Sequence, residues 1–232
     1  MAWRPVGAVP LSEQVHHQLL NAILEGTLHG TLPPERELAA SFQVNRHVIR
    51  EAVKRLQQAK LVEVNQGGAT RVLSVTDHAR LDLLPDVIVR EGVLDPGVAR
   101  AVLELRSCVG ADAARLCALR SSGVAEQLMR HIPASTTSVA DLEAGNLEFW
   151  SAIIDGSHNL AYRLALNTLM AVIDTIRRAA GGAQIMDALH REYRQAEQMA
   201  LLATAIGDGD AQAARRIAAE FLDAVLSAPE LA

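Results

Sequence analysis

Aromatic residues make up only 3% of this 232-residue chain, although half of it is apolar. Ala and Leu carry the apolar content, which disfavours sheets built from Val, Ile and Tyr and points to helices packed on helices. Cysteine is scarcer still: Cys108 and Cys117 are the two present. Nine residues apart on one expected helix, they fall on roughly opposite faces and read as reduced, buried thiols rather than a bridge. No apolar run reaches the length of a membrane span. Met1-Ala2-Trp3-Arg4-Pro5 also lacks the charged-then-apolar order of a signal peptide, so a cytoplasmic protein without membrane contact is expected. Enzyme signatures are missing too: there is no Gly-x-Ser-x-Gly, no Walker loop and no Gly-x-Gly-x-x-Gly after a strand, so neither an enzyme nor a cofactor is expected. Gly207-Asp208-Gly209-Asp210 lies between two helical patterns and reads as a turn in which Asp210 caps the last helix. His16 and His17 are neighbours on one helix, point two ways and make no metal clip.

What is present is asymmetry. The formal charge is −5, yet residues 1–76 hold 8 Lys/Arg against 6 Asp/Glu, and the excess acid belongs to residues 77–232. A net positive module joined to an acidic one is the pattern of a nucleic-acid binder attached to something else, because phosphate contacts need cations on one face only. The domains are therefore expected at 1–76 and 77–232.

Within the first, Val15, Leu19, Ala22 and Ile23 make an apolar helical stripe that stops at Gly26. After Pro33-Pro34 a short helix runs from Glu35 to Ala40. Asn45 is a fitting N-cap for a third helix, whose stripe of Val48, Ile49, Ala52, Val53 and Leu56 leaves Arg46, His47, Arg50 and Lys54 outward. Leu61–Val64 and Thr70–Leu73 are β-prone and joined through Gly67-Gly68, a hairpin or wing. Beyond Val75 every strong pattern is helical. Stripes at Val98–Leu116, Leu142–Ile153, Leu160–Ile176, Leu189/Tyr193/Leu202 and Ile217–Val225 predict an antiparallel bundle of about six helices. The fold class is thus mainly α: a winged helix-turn-helix followed by an all-helical bundle.

Three helices and a wing, with arginines outward on the third, suit a helix docked in a DNA major groove. Here Leu32-Pro33-Pro34-Glu35-Arg36-Glu37-Leu38-Ala39, Val44-Asn45-Arg46-His47-Val48-Ile49-Arg50-Glu51-Ala52 and Leu61-Val62-Glu63-Val64 with Gly67 resemble the GntR family of transcription regulators. The resemblance implies operator contacts from Arg36, Arg46 and Arg50 and from the wing tip Gln66-Gly67. An arginine fork can take guanine O6 and N7 together, and glycine lets the backbone approach the duplex closely. Asn45 fits a cap better than a base reader, and His47 suits either role. Two departures stand out: Pro34 replaces a serine, which loses a capping contact, and Lys60 replaces the glycine usual before Leu61.

The second domain is similar to the FadR branch of that family at Glu104-Leu105-Arg106, at Ser157-His158-Asn159 with Tyr162, and at Ala205-Ile206 with Gly209-Asp210. Many relatives hold a divalent metal there through one aspartate and three histidines, and the matching positions here are Asn146, Trp150, Met199 and Phe221. An amide, an indole, a thioether and a phenyl ring offer a transition metal almost nothing, so no metal is expected. Apolar groups in that place suit a longer hydrocarbon, and the resemblance then implies a fatty acyl-CoA as effector. The alternative is a metal-free sensor of small organic acids using Arg106. Trp150, Met199 and Phe221 can equally be plain core. The family and operator symmetry imply a homodimer on a pseudo-palindromic site.

Overall fold

The computed structural model describes residues 10–64, 69–90 and 92–227. They divide into two compact units, 1–86 and 87–232. In the first unit α1 (Leu11–Leu24), α2 (Glu35–Ser41) and α3 (Arg46–Gln58) precede an antiparallel pair, β1 (Val62–Val64) and β2 (Thr70–Val72). The pair runs in register Val62 opposite Val72, Glu63 opposite Arg71 and Val64 opposite Thr70, and Thr31 bridges Arg71 from the other side. Val15, Leu19, Leu20 and Ile23 of α1 meet Ile49, Ala52, Val53 and Leu56 of α3 in one small core. The unit continues past residue 76 through α4 (Val75–His78) and a 3-10 turn at Leu81–Leu83, whose Leu83 is buried. That burial extends the unit beyond the change of sequence pattern near Val75.

Two local departures have visible causes. Pro34 stands at the N-cap of α2 and gives no side-chain cap, so that helix start relies on backbone alone. Lys60 sits at φ 59°, a left-handed conformation that costs a non-glycine residue roughly 1–2 kcal/mol. The glycine of relatives would relieve that strain.

His16 is buried on α1 and its Nδ1 has no hydrogen-bond partner. Burial lowers its pKa below the ordinary 6.5, with Asp86 opposing and His17 and Arg55 adding to the shift. A depressed histidine contributes stability that is complete above the unfolded value and is lost as pH falls through the folded one. Melting temperature is therefore expected to drop on acidification below about pH 6.5, and to drop less in His16→Leu. Parallel melting curves across pH for both proteins would rule this out.

The second unit opens on α5 (Leu84–Val87), which spans the division, and on a pair absent from the sequence expectation, β3 (Val89–Arg90) with β4 (Val93–Leu94). Seven helices follow among the described residues: α6 (Pro96–Arg120), α7 (Val124–Met129), α8 (Val139–Gly156), α9 (Leu160–Arg178), α10 (Gly182–Tyr193), α11 (Ala196–Gly207) and α12 (Ala211–Asp223). The stripe Leu189/Tyr193/Leu202 is split between α10 and α11 at Arg194–Gln195, where neither glycine nor proline marks the break. Asp95, Ser138, Asn159 and Asp210 cap four of the helices with side-chain acceptors. His158 takes φ 49° in the turn between α8 and α9. α6 is the central element, packed by α8 and α12. Cys117 is buried on it, which pushes the thiol up to about 11, whereas Cys108 is exposed, contrary to expectation, because it lies on the face α6 turns away from its neighbours. No described helix is long and apolar enough to cross a membrane.

Candidate DNA-binding face and effector cavity

On the first unit, Asn45 accepts from the Val48 amide at 3.0 Å and so starts α3 as a cap. Its burial of Ile49, Ala52, Val53 and Leu56 fixes the helix roll, and Arg46, His47, Arg50 and Lys54 consequently face out. Arg36 is likewise exposed on α2. Gln66 and Gly67 lie outside the described residues. Sequence reasoning overlooked Glu35: both of its carboxylate oxygens accept from Arg50, from Nε at 3.2 Å and from Nη2 at 2.9 Å. The pair holds the Arg50 fork in one orientation. Hydrogen bonding to Arg50 lowers the Glu35 pKa, and the same contact raises that of Arg50.

In the second unit, a cavity of about 70 Å³ opens between α6, α8, α9 and α10. Arg106, Asn146 and Trp150 line it, together with Leu147, Ile154, Leu169, Met170, Ile173 and Met186. Three of the six expected effector residues are thus brought together. Met199 and Phe221 are not among the lining residues; both are packed in the core, where Phe221 stacks on Trp150 with centroids 6.1 Å apart. Tyr162 is elsewhere on α9, donating its hydroxyl to Asp112 at 2.8 Å.

The polar groups around the cavity are mostly spoken for. Arg106 forks onto both oxygens of Glu192, and each partner is almost fully buried. Burial works to lower the Arg106 pKa, but the Glu192 charge outweighs it and leaves the guanidinium raised. Burial also pushes the Glu192 carboxyl up, against the pull of Arg106, and pushes the neighbouring Tyr193 hydroxyl up to about 12. At the other wall Glu143 accepts from Arg177 at 3.0 Å and meets His190 Nε2 at 2.8 Å. Two donors remain: Asn146 Nδ2 and Trp150 Nε1 are buried without a partner. Glu192 was legible in principle, since it stands three residues after Leu189 on an otherwise apolar face. Nothing in the sequence marks Glu143 or His190.

The metal positions of relatives can be tested on this donor set. Trp150 stacks on Phe221, Met199 is packed in the same core, and the Asn146 amide nitrogen is buried without a partner. These groups do not fit a divalent ion.

Comparison with known proteins places both units. Residues 11–72 match the family described as bacterial regulatory proteins, gntR family, and residues 101–224 match the FCD domain. The HTH-type transcriptional regulator Mce2R of Mycobacterium tuberculosis is 34% identical over 229 residues, covering 96% of this chain and 93% of that protein. The transcriptional repressor NanR of Klebsiella aerogenes is 42% identical over 71 residues, 30% of this chain and 27% of its own. Among solved structures, Lar, described as controlling the expression of the Listeria monocytogenes agr system, covers 95% of this chain and 99% of its own with a TM-score of 0.52 at 15% identity, a likeness of fold. A helix-turn-helix with an outward arginine face, an FCD domain behind it and a full-length regulator at this identity together mean that the chain belongs to the GntR family of bacterial transcription regulators.

Proposed function

We propose that the protein binds a pseudo-palindromic operator as a homodimer, each copy laying α3 in the major groove, and that its helical unit responds to a small effector without a metal ion. The observation that carries this is the outward face of α3, where Arg46, His47 and Arg50 share one exposed surface while the opposite face is locked in the core. Arg46 and Arg50 read bases, Arg36 holds the backbone, Asn45 acts as a cap, and the wing tip at Gln66-Gly67 reaches the adjacent groove. Two copies related by a two-fold axis match the symmetry of such a site.

Arg50→Ala is expected to weaken operator binding roughly ten- to a hundredfold, with much less effect on random DNA of equal length. Fluorescence anisotropy at fixed salt measures both. Equal losses on the two DNAs would make Arg50 a phosphate contact, and no loss on either would remove α3 as the reader.

For the effector, the cavity between α6 and α10 supports a compound of few heavy atoms. At about 70 Å³ it is under half of the roughly 150 Å³ apolar cavity that accepts benzene. A long acyl chain, the class suggested by Trp150, Met199 and Phe221 in sequence, would have to part the helices, since all three side chains are packed in the core.

A further inference from the structure

We propose that the cavity of the helical unit takes a small neutral carbonyl compound, a ketone, lactone, ester or amide, whose oxygen accepts hydrogen bonds from Asn146 Nδ2 and Trp150 Nε1. The proposal rests on reading that cavity as the effector site and names the chemistry it selects.

Three observations lead there. The first is the pair of orphan donors. Asn146 is 8% exposed and Trp150 7%, both line the cavity, and neither nitrogen has a partner. A buried donor left unpaired costs about 1–3 kcal/mol. Positions i and i+4 share one face of α8, with Cβ atoms about 5–6 Å apart, so both side chains leave the helix on the side that lines the cavity. A carbonyl oxygen has two lone pairs and can accept from both.

The second is charge. Arg106 spends its fork on Glu192, and Arg177 is bound by Glu143 and Asp174. The two arginines that line the cavity are thus already matched by carboxylates. A carboxylate ligand would enter without a cation of its own and close to Glu143, and burying an uncompensated charge is costly. A neutral acceptor meets no such barrier. The third is the remaining wall, which apart from Tyr193 is apolar and non-aromatic, with Met170 and Met186 able to shift around a ligand larger than the space as it stands.

The test uses full-length protein labelled with ¹⁵N. The chain has two tryptophans, Trp3 and Trp150, so two indole N–H signals are expected, and Trp150→Phe assigns them. Titration compares 2-butanone with propanoate, which have the same number of heavy atoms and differ in charge. The expected result is a saturable downfield shift of the Trp150 indole with 2-butanone and an apparent affinity for propanoate at least tenfold weaker. Asn146→Leu should weaken 2-butanone roughly five- to tenfold by removing one of the two donors. The wild-type comparison needs no variant and stands if that one misfolds. Propanoate binding as tightly as 2-butanone would overturn the neutral-ligand assignment while leaving the cavity as effector site. No movement of the indole with either probe would mean the donors serve water alone. If deproteinised cell extract changes operator affinity while the Trp150 signal stays fixed, the effector binds elsewhere, and the reading of the cavity falls with the proposal.

Discussion

Glu192→Ala is expected to destabilise the helical unit by about 3–5 kcal/mol. The guanidinium of Arg106 reaches Glu192 from α6 to α10, across 86 positions of sequence, and removing the carboxylate leaves a largely buried charged fork without its partner. Arg106→Ala should cost a similar amount for the mirrored reason. The double change Arg106→Met with Glu192→Leu should cost far less than the sum, because it removes both desolvation penalties and leaves apolar contacts of comparable volume. Chemical denaturation of the four proteins gives the cycle. If the double variant is as unstable as the two single losses added together, the pair is not acting as a unit. The same cycle separates a structural arginine from a ligand-binding one: in this geometry Arg106 holds α6 to α10 and is already occupied.

Phe221→Ala is expected to cost about 3–5 kcal/mol, the range for a large aromatic removed from a filled core. Phe221 is 1% exposed and its ring lies nearly parallel to that of Trp150, 22° between planes. Trp150 in turn makes an edge contact with Phe149, so the truncation leaves a void against a ring that also walls the cavity. A second expectation follows from that contact: the Trp150 fluorescence of the folded variant should change as the indole relaxes toward the space. A variant that keeps wild-type stability would place Phe221 on a surface or in an open pocket instead of the core.

The first unit is largely legible in its sequence because each element carries its own local reason. Asn45 starts α3, the apolar period sets its roll, and that period alone dictates which side Arg46 and Arg50 take. The helical unit is less so. Its helices announce themselves through period and through caps such as Asp210, but Arg194–Gln195 separates α10 from α11 with neither glycine nor proline to signal it. The short pairing of β3 with β4 has no alternation long enough to read. The effector residues show the limit most clearly. Trp150, Met199 and Phe221 share an apolar character and lie on α8, α11 and α12, yet Trp150 alone of the three faces the cavity, and period cannot say which side of a packed helix meets a void. Asn146 was picked out as a replaced metal ligand; its role as an orphan donor depends on what does not reach it, which sequence does not encode.

Main-chain hydrogen bonds join the β3–β4 pair to the turn after α9. Leu94 N donates to Ala180 O at 3.2 Å and Ala180 N donates to Gly92 O at 2.9 Å, while Asp95 N closes the pair itself by donating to Ile88 O at 2.8 Å. Gly92 sits at φ 81°, where a side chain would be strained, and at Gly182, the first residue of α10, a Cβ would come within 1.8 Å of Ile176 O. Ile173 and Arg177, which wall the cavity, are on the last two turns of the same helix α9. Substitution at those two positions can thus reshape the cavity wall without removing the main-chain bonds between the turn after α9 and the β3–β4 segment. Reshaping of the cavity and disturbance of this turn are separate events, and a single methyl group at 182 is enough for the second.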